Sequence, residues 1–176
     1  ESVYLPSSLT MIDIGTFFKC PKLTSVVFEE NSQIKTIENS AFNGCISLKN
    51  IIIPKNVELI GPNAFAGCSS LETVTFEGDS QIKTIDNGAF FVCINLKNII
   101  IPKNVESIGE GAFEECLSLE TVTFEENSKI KYFGSSIFSK CTSLEKIFIP
   151  KTLTSIRGNT FTSCENLNEV LFEEGS

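Results

Sequence analysis

The apolar positions of this chain repeat against a ruler of cysteines. Seven cysteines stand at positions 20, 45, 68, 93, 116, 141 and 164, so their spacing alternates between 25 and 23 residues. A phenylalanine lies three residues before each (Phe17, Phe42, Phe65, Phe90, Phe113, Phe138, Phe161), and a leucine lies three residues after each. A branched aliphatic residue lies eleven before, isoleucine or phenylalanine eight before, and valine or isoleucine six after. A fixed period of this size marks a repeat solenoid, in which each coil buries its apolar face on the next.

The spacing inside one coil predicts its elements. At six and eight residues after the cysteine the step is two, and the residues are β-branched or aromatic, which predicts a strand with alternate side chains pointing in. Each such strand pairs in parallel with its equivalent in the next coil. From the small residue four before the cysteine through Phe, Cys and Leu the steps are one, three and three, which predicts a short helical or 3₁₀ segment. A second, shorter extended segment falls around the isoleucine eight before the cysteine. The expected fold is an α/β repeat: one right-handed solenoid over residues 1–176 with about seven coils of 23 or 25 residues, about eight parallel strands, and short helical or 3₁₀ segments on the opposite side.

The two coil lengths differ in one turn. Three residues follow the strand in one kind of coil (Pro54-Lys55-Asn56, Pro102-Lys103-Asn104, Pro150-Lys151-Thr152) and five in the other (29–33, 77–81, 125–129), while the strand-end residue alternates between Ile and Phe. The true period is a double coil of 48 residues. Eleven residues after the cysteine comes a hydrogen-bonding side chain: Asn31, Asn56, Asp79, Asn104, Asn127 and Thr152, with Ser8 in the first partial coil and Gly175 breaking the series. These are expected to form a ladder that satisfies backbone N–H groups where the chain leaves the sheet.

Composition narrows the function classes. The formal net charge is −8 with a single arginine, Arg157, which argues against nucleic acid and against guanidinium clusters for phosphate. With no histidine, Ser-His-Asp and Cys-His catalysis and His-based metal sites are excluded. No apolar run approaches the length of a membrane span, so no direct membrane insertion is expected. The cysteines are odd in number and carry the coil spacing, without a CxxC pair. They are expected to be reduced core residues, because side chains stacked in parallel close disulfides poorly. The acidic turns lack the DxDxDG spacing of a calcium loop. No cofactor is implied, and the chain is expected not to be an enzyme. It starts and stops beside strands and reads as a piece of a longer array, whose exposed parallel edges invite end-to-end self-association.

The unit AFxxCxxLxxIxIPxxVxxIG is met in full by Ala89, Phe90, Cys93, Leu96, Ile99, Ile101, Pro102, Val105, Ile108 and Gly109, and recurs in every coil. In this the chain resembles the BspA-like, treponemal-type leucine-rich-repeat family; the first coil departs with Asp13 for Gly and Thr16 for Ala. The resemblance implies a curved solenoid with the parallel sheet on its concave side. It also implies proteins displayed on microbial cell surfaces or secreted, acting in adhesion or recognition, with no catalytic residues to carry over.

The position seven after the cysteine must point outward from the sheet. It holds Tyr4, Val27, Ile52, Thr75, Ile100, Thr123, Phe148 and Leu171. An exposed apolar stripe marks a binding site, and β-branched residues also stack well simply as strand formers. Phe148 and Leu171 favour the first meaning. The stripe is the candidate site for a protein partner: a host, matrix or cell-surface protein. The competing reading is an intracellular scaffold or a structural spacer.

Overall fold

The computed structural model describes residues 1–174. Gly175, which breaks the polar series, and the terminal edge at Ser176 lie outside the described residues. The chain winds as a parallel β-solenoid of about seven turns. Each coil contributes a four-residue strand, and these are β1 (Ser2–Leu5), β3 (Ser25–Phe28), β5 (Asn50–Ile53), β7 (Thr73–Phe76), β9 (Asn98–Ile101), β11 (Thr121–Phe124), β13 (Lys146–Ile149) and β14 (Glu169–Phe172). Between them lie two-residue strands around the isoleucine eight before the cysteine: β2 (Met11–Ile12), β4 (Thr36–Ile37), β6 (Leu59–Ile60), β8 (Thr84–Ile85), β10 (Ser107–Ile108) and β12 (Tyr132–Phe133). All recorded pairings are parallel.

The expected helical or 3₁₀ segments do not form. Among the described residues there is no helix, and the segment before each cysteine is a run of turns. The periodicity had a second solution. Two residues per coil, five and one before the cysteine, take positive φ: Gly15 and Lys19, Ser40 and Gly44, Asn63 and Gly67, Gly88 and Val92, Gly111 and Glu115, Ser136 and Lys140, Asn159 and Ser163. These left-handed residues break any helix after three residues. They also divide the backbone N–H groups into two sets. One set closes local turns, as in Phe18 to the Gly15 carbonyl at 2.9 Å, while the other crosses to the next coil, as in Phe17 to Ala41 at 2.7 Å and Lys19 to Asn43 at 2.7 Å. The crossing set repeats in the following coils (Phe42 to Ala64 2.7 Å, Phe65 to Ala89 2.8 Å), so this side is itself a ladder between coils. A helix would have spent those N–H groups internally.

The two sheets differ in continuity. The short strands form one uninterrupted six-stranded ladder from β2 to β12. The long strands pair fully only across the 23-residue steps: β1 with β3, β5 with β7, β9 with β11, β13 with β14. Across the 25-residue steps β7 and β9 share one position, Thr73 with Asn98, and no pairing joins β3 to β5 or β11 to β13. Proline accounts for part of this. At the 23-residue steps the N–H just past the strand continues the ladder, from Glu29 to Leu5 at 3.0 Å, Glu77 to Ile53 at 3.0 Å and Glu125 to Ile101 at 3.0 Å. In the alternate coils that residue is Pro54, Pro102 or Pro150, which has no N–H to give. The 48-residue period of the sequence is thus a period of strand doublets.

The core lies between the two ladders. The phenylalanines three before the cysteines stack in one column from Phe17 to Phe161, ring centroids 5.0 to 5.9 Å apart. The small residue beside them, Ala41, Ala64, Ala89 or Ala112, is fully buried and leaves the rings their room. Gly109 and Gly134 are required by contact: a Cβ on either would strike the backbone of the preceding coil, at Asn87 and Glu110. The first coil does without glycine there, and the Asp13 carboxylate instead accepts the Ile14 N–H at 2.7 Å.

Candidate binding face

All eight residues of the predicted stripe lie on one face of the long strands, each third in its strand and each exposed. Alternation forces this, because the flanking positions, such as Ile51 and Ile53 around Ile52, turn into the core. Tyr4 is 76% exposed, Ile100 57% and Phe148 53%, which is unusual for large apolar side chains in a well-packed protein. The stripe comes in doublets: Tyr4 beside Val27, Ile52 beside Thr75, Ile100 beside Thr123, Phe148 beside Leu171.

The polar position two residues earlier on the same face is largely self-satisfied. Across the 23-residue steps Ser25 donates to Ser2 at 2.7 Å, Thr73 donates to Asn50 at 2.5 Å and Thr121 donates to Asn98. The last doublet places Lys146 beside Glu169 instead. The apolar stripe therefore has a neutral, internally bonded border for most of its length and a charged one at Phe148.

The turns at the strand ends are built structures. The carboxylates of Glu29, Glu77, Glu125 and Glu173 reach back to accept the backbone N–H of Ser7, Lys55, Lys103 and Lys151 at 2.7, 2.9, 2.9 and 3.2 Å. These bonds hold the carboxyls of Glu29 and Glu173 below the usual glutamate value. The polar series behind them works differently from the expected N–H ladder. Asn56, Asn104 and Thr152 donate to the carbonyls of Ser32, Ser80 and Ser128 one coil back, at 2.9, 2.8 and 3.2 Å. Asn31, Asp79 and Asn127 serve through backbone shape, each with φ near +59°, a region that Asn and Asp tolerate best after glycine. On the short-strand side, Lys35, Glu58 and Lys83 form a chain of ion pairs at 3.6 and 2.7 Å, and the Lys83 ammonium lowers the Glu58 carboxyl.

The cysteines are free thiols, buried from Cys45 to Cys141 and half-buried at Cys20 and Cys164. Each from Cys45 onward donates its S–H to the phenylalanine carbonyl of the coil before, for example Cys93 to Phe65 at 3.2 Å. Burial pushes the Cys45 thiol up to about 11 and Cys116 to about 12, and raises Cys68, Cys93 and Cys141 as well. Among the described residues no cluster of His, Cys, Asp or Glu has the arrangement of a metal site, and no helix is long and apolar enough to cross a membrane.

Two features escaped the sequence reading. A cavity of about 450 Å³ opens over the break between β11 and β13, walled by Phe124, Phe148 and Leu171 and bordered by Glu125 and Glu126. Its signal was the alternation of Ile and Phe at the strand end: Phe28, Phe76 and Phe124 are half-buried, whereas Ile53, Ile101 and Ile149 are buried. On the turn side Ile14, Phe18 and Ile46 are also exposed, a small apolar group outside the stripe.

Parallel coils of this period, with one leucine, one phenylalanine and one cysteine column, define a leucine-rich-repeat array. The signature of the BspA type leucine rich repeat region matches residues 1–90 and 77–176 with 6 copies, and the chain belongs to that family. Such arrays are typically protein-interaction modules without catalytic activity. The chain is similar to a leucine-rich repeat protein of Treponema pallidum, 26% identical with TM-score 0.75, covering 97% of this chain and 68% of that one. It is also similar to a leucine-rich repeat protein of Bacteroides ovatus, 28% identical with TM-score 0.62. The alignment covers 97% of this chain and 55% of the Bacteroides protein, so the chain spans little more than half of that relative. A leucine rich cell surface protein of Faecalibacterium prausnitzii is 26% identical over 100% of this chain and 60% of that one, with TM-score 0.49. No curated protein matches the chain.

Proposed function

We propose that this array is a non-enzymatic protein-binding module of a microbial surface or secreted protein, and that it holds its partner on the long-strand face. This is the face that the family resemblance puts on the concave side. The observation that carries the reading is the exposed apolar stripe. Tyr4, Ile52, Ile100 and Phe148 stand outward on the long strands, while the polar groups beside them are mostly bonded to each other. A partner covering this face would bury apolar area without breaking protein hydrogen bonds, and rigid apolar anchors carry most of the energy of an interface.

The test is adhesion to host cells and to immobilised matrix proteins by beads coated with the protein. Ile52→Glu combined with Ile100→Glu should abolish capture, while Ile46→Glu on the turn side should leave it unchanged. Equal loss in both variants, or full capture by the double variant, would remove the face from consideration. Capture by neither the intact array nor any variant would favour the structural-spacer reading.

A further inference from the structure

No pairing joins β11 to β13, as none joins β3 to β5, and the break between β11 and β13 differs from the other 25-residue steps in its side chains. The residue facing Thr123 across the break is an aromatic ring, Phe148, where Ile52 and Ile100 stand at the earlier steps. The resulting cavity of about 450 Å³ has an apolar floor of Val122, Phe124, Ile147 and Phe148. Its border is acidic. Glu125, Glu126 and Glu173 line it with one cation, Lys146, which has Glu169 as its register neighbour, while Glu173 is itself paired with the Lys151 ammonium at 3.3 Å. Glu125 and Glu173 are held by the backbone N–H groups of Lys103 and Lys151, each one coil back. The whole chain adds to the field with a net charge of −8.

We propose that this cavity is a docking slot for an extended cationic segment of a partner protein. One apolar side chain enters over the break beside the outward ring of Phe148, with the half-buried Phe124 below it, and the lysines or arginines on either side of it meet Glu125 and Glu126. An extended segment fits because its side chains alternate in direction: one apolar group goes down, and the long, flexible lysine or arginine chains beside it bend back to the acidic border. Acidic neighbours around an apolar hole select such a segment over a neutral or anionic one. The inference rests on the reading of the long-strand face as the binding face, and narrows it to one slot and one chemistry of partner.

The experiment uses a capped, fluorescein-labelled heptapeptide of alternating lysine and leucine, with fluorescence anisotropy as the readout. Two control peptides replace lysine with glutamate or leucine with serine. The protein should bind the lysine–leucine peptide and neither control. Phe148→Ser should weaken binding about tenfold or more, and Glu126→Lys should weaken it while flattening its salt dependence. Both side chains are exposed, so unchanged circular dichroism will show the variants folded. A benzophenone-bearing version of the peptide should cross-link to residues 121–128, 146–150 or 171–173. Equal binding of the lysine–serine peptide, cross-links elsewhere, or indifference to Phe148→Ser would overturn the slot. Failure of the peptide with bead capture retained would remove the slot alone. Loss of bead-capture dependence on the face would remove the reading beneath it.

Discussion

The sulfur of the fully buried Cys93 lies 3.2 Å from the Phe65 carbonyl. The period of the cysteines, their burial and their reduced state were all legible in the chain, because parallel stacking leaves no room for disulfides. The carbonyl partner was not, since it depends on a backbone turn that spacing alone does not specify. It changes a prediction. A serine at 93 finds an acceptor already placed, so Cys93→Ser should cost about 1 kcal/mol rather than the larger penalty of an unsatisfied hydroxyl, as urea unfolding will show. An aromatic disulfide reagent should label Cys20 and Cys164 first and the five interior thiols only on unfolding; rapid labelling of all seven would contradict this. The raised thiols also make the fold sensitive to alkali. An unfolded cysteine ionises near about pH 8.5, whereas Cys45 and Cys116 stay protonated to about 11 and 12. Above pH 8.5 or so the folded state therefore binds more protons than the unfolded one, and stability falls as pH rises. The urea midpoint should decline steadily from about pH 8 to about pH 11, and a flat profile would show the thiols to be more solvated than the structure places them.

At the level of elements, strands were easy to find and the turn side was not. Step-two spacing with β-branched residues admits only an extended chain, and every one of the eight expected strands is present with its outward residue exposed. The steps of three around Phe and Cys admit both a short helix and consecutive turns. The decision lay in residues such as Lys19, Val92 and Glu115, which adopt positive φ although nothing in their chemistry announces it. Neighbouring coils impose that conformation by accepting alternate N–H groups. The pairing of strands into doublets was written in the alternation of Pro and Glu after the strand, but its meaning emerges only when the ladder bonds are followed. It has a measurable consequence. In native hydrogen exchange the amides of Thr75 and Thr123, inside fully paired doublets, should exchange much more slowly than those of Ile52 and Phe148, which face unpaired breaks. Uniform protection across all four would mean that the long strands form one continuous sheet.

For the whole molecule, folding and the proposed binding face use different side chains. The core is held by the stacked phenylalanines, the leucines and the inward half of each strand, and none of the stripe residues belongs to it. This separation follows from strand alternation and was legible from the sequence as a stripe. The acidic cavity at one end was not, because it needs the break between two strands and the rings of Phe124 and Phe148 together. The separation is tested most directly by one variant, Ile100→Glu with Phe148→Glu, measured for thermal unfolding and for bead capture on the same samples. If the face serves binding alone, capture is lost while the melting temperature falls by less than about 8 °C, the scale of two exposed strand substitutions in a chain of this size. Collapse of the fold would show that the stripe supports the solenoid, and full capture by a folded double variant would show that the partner binds elsewhere.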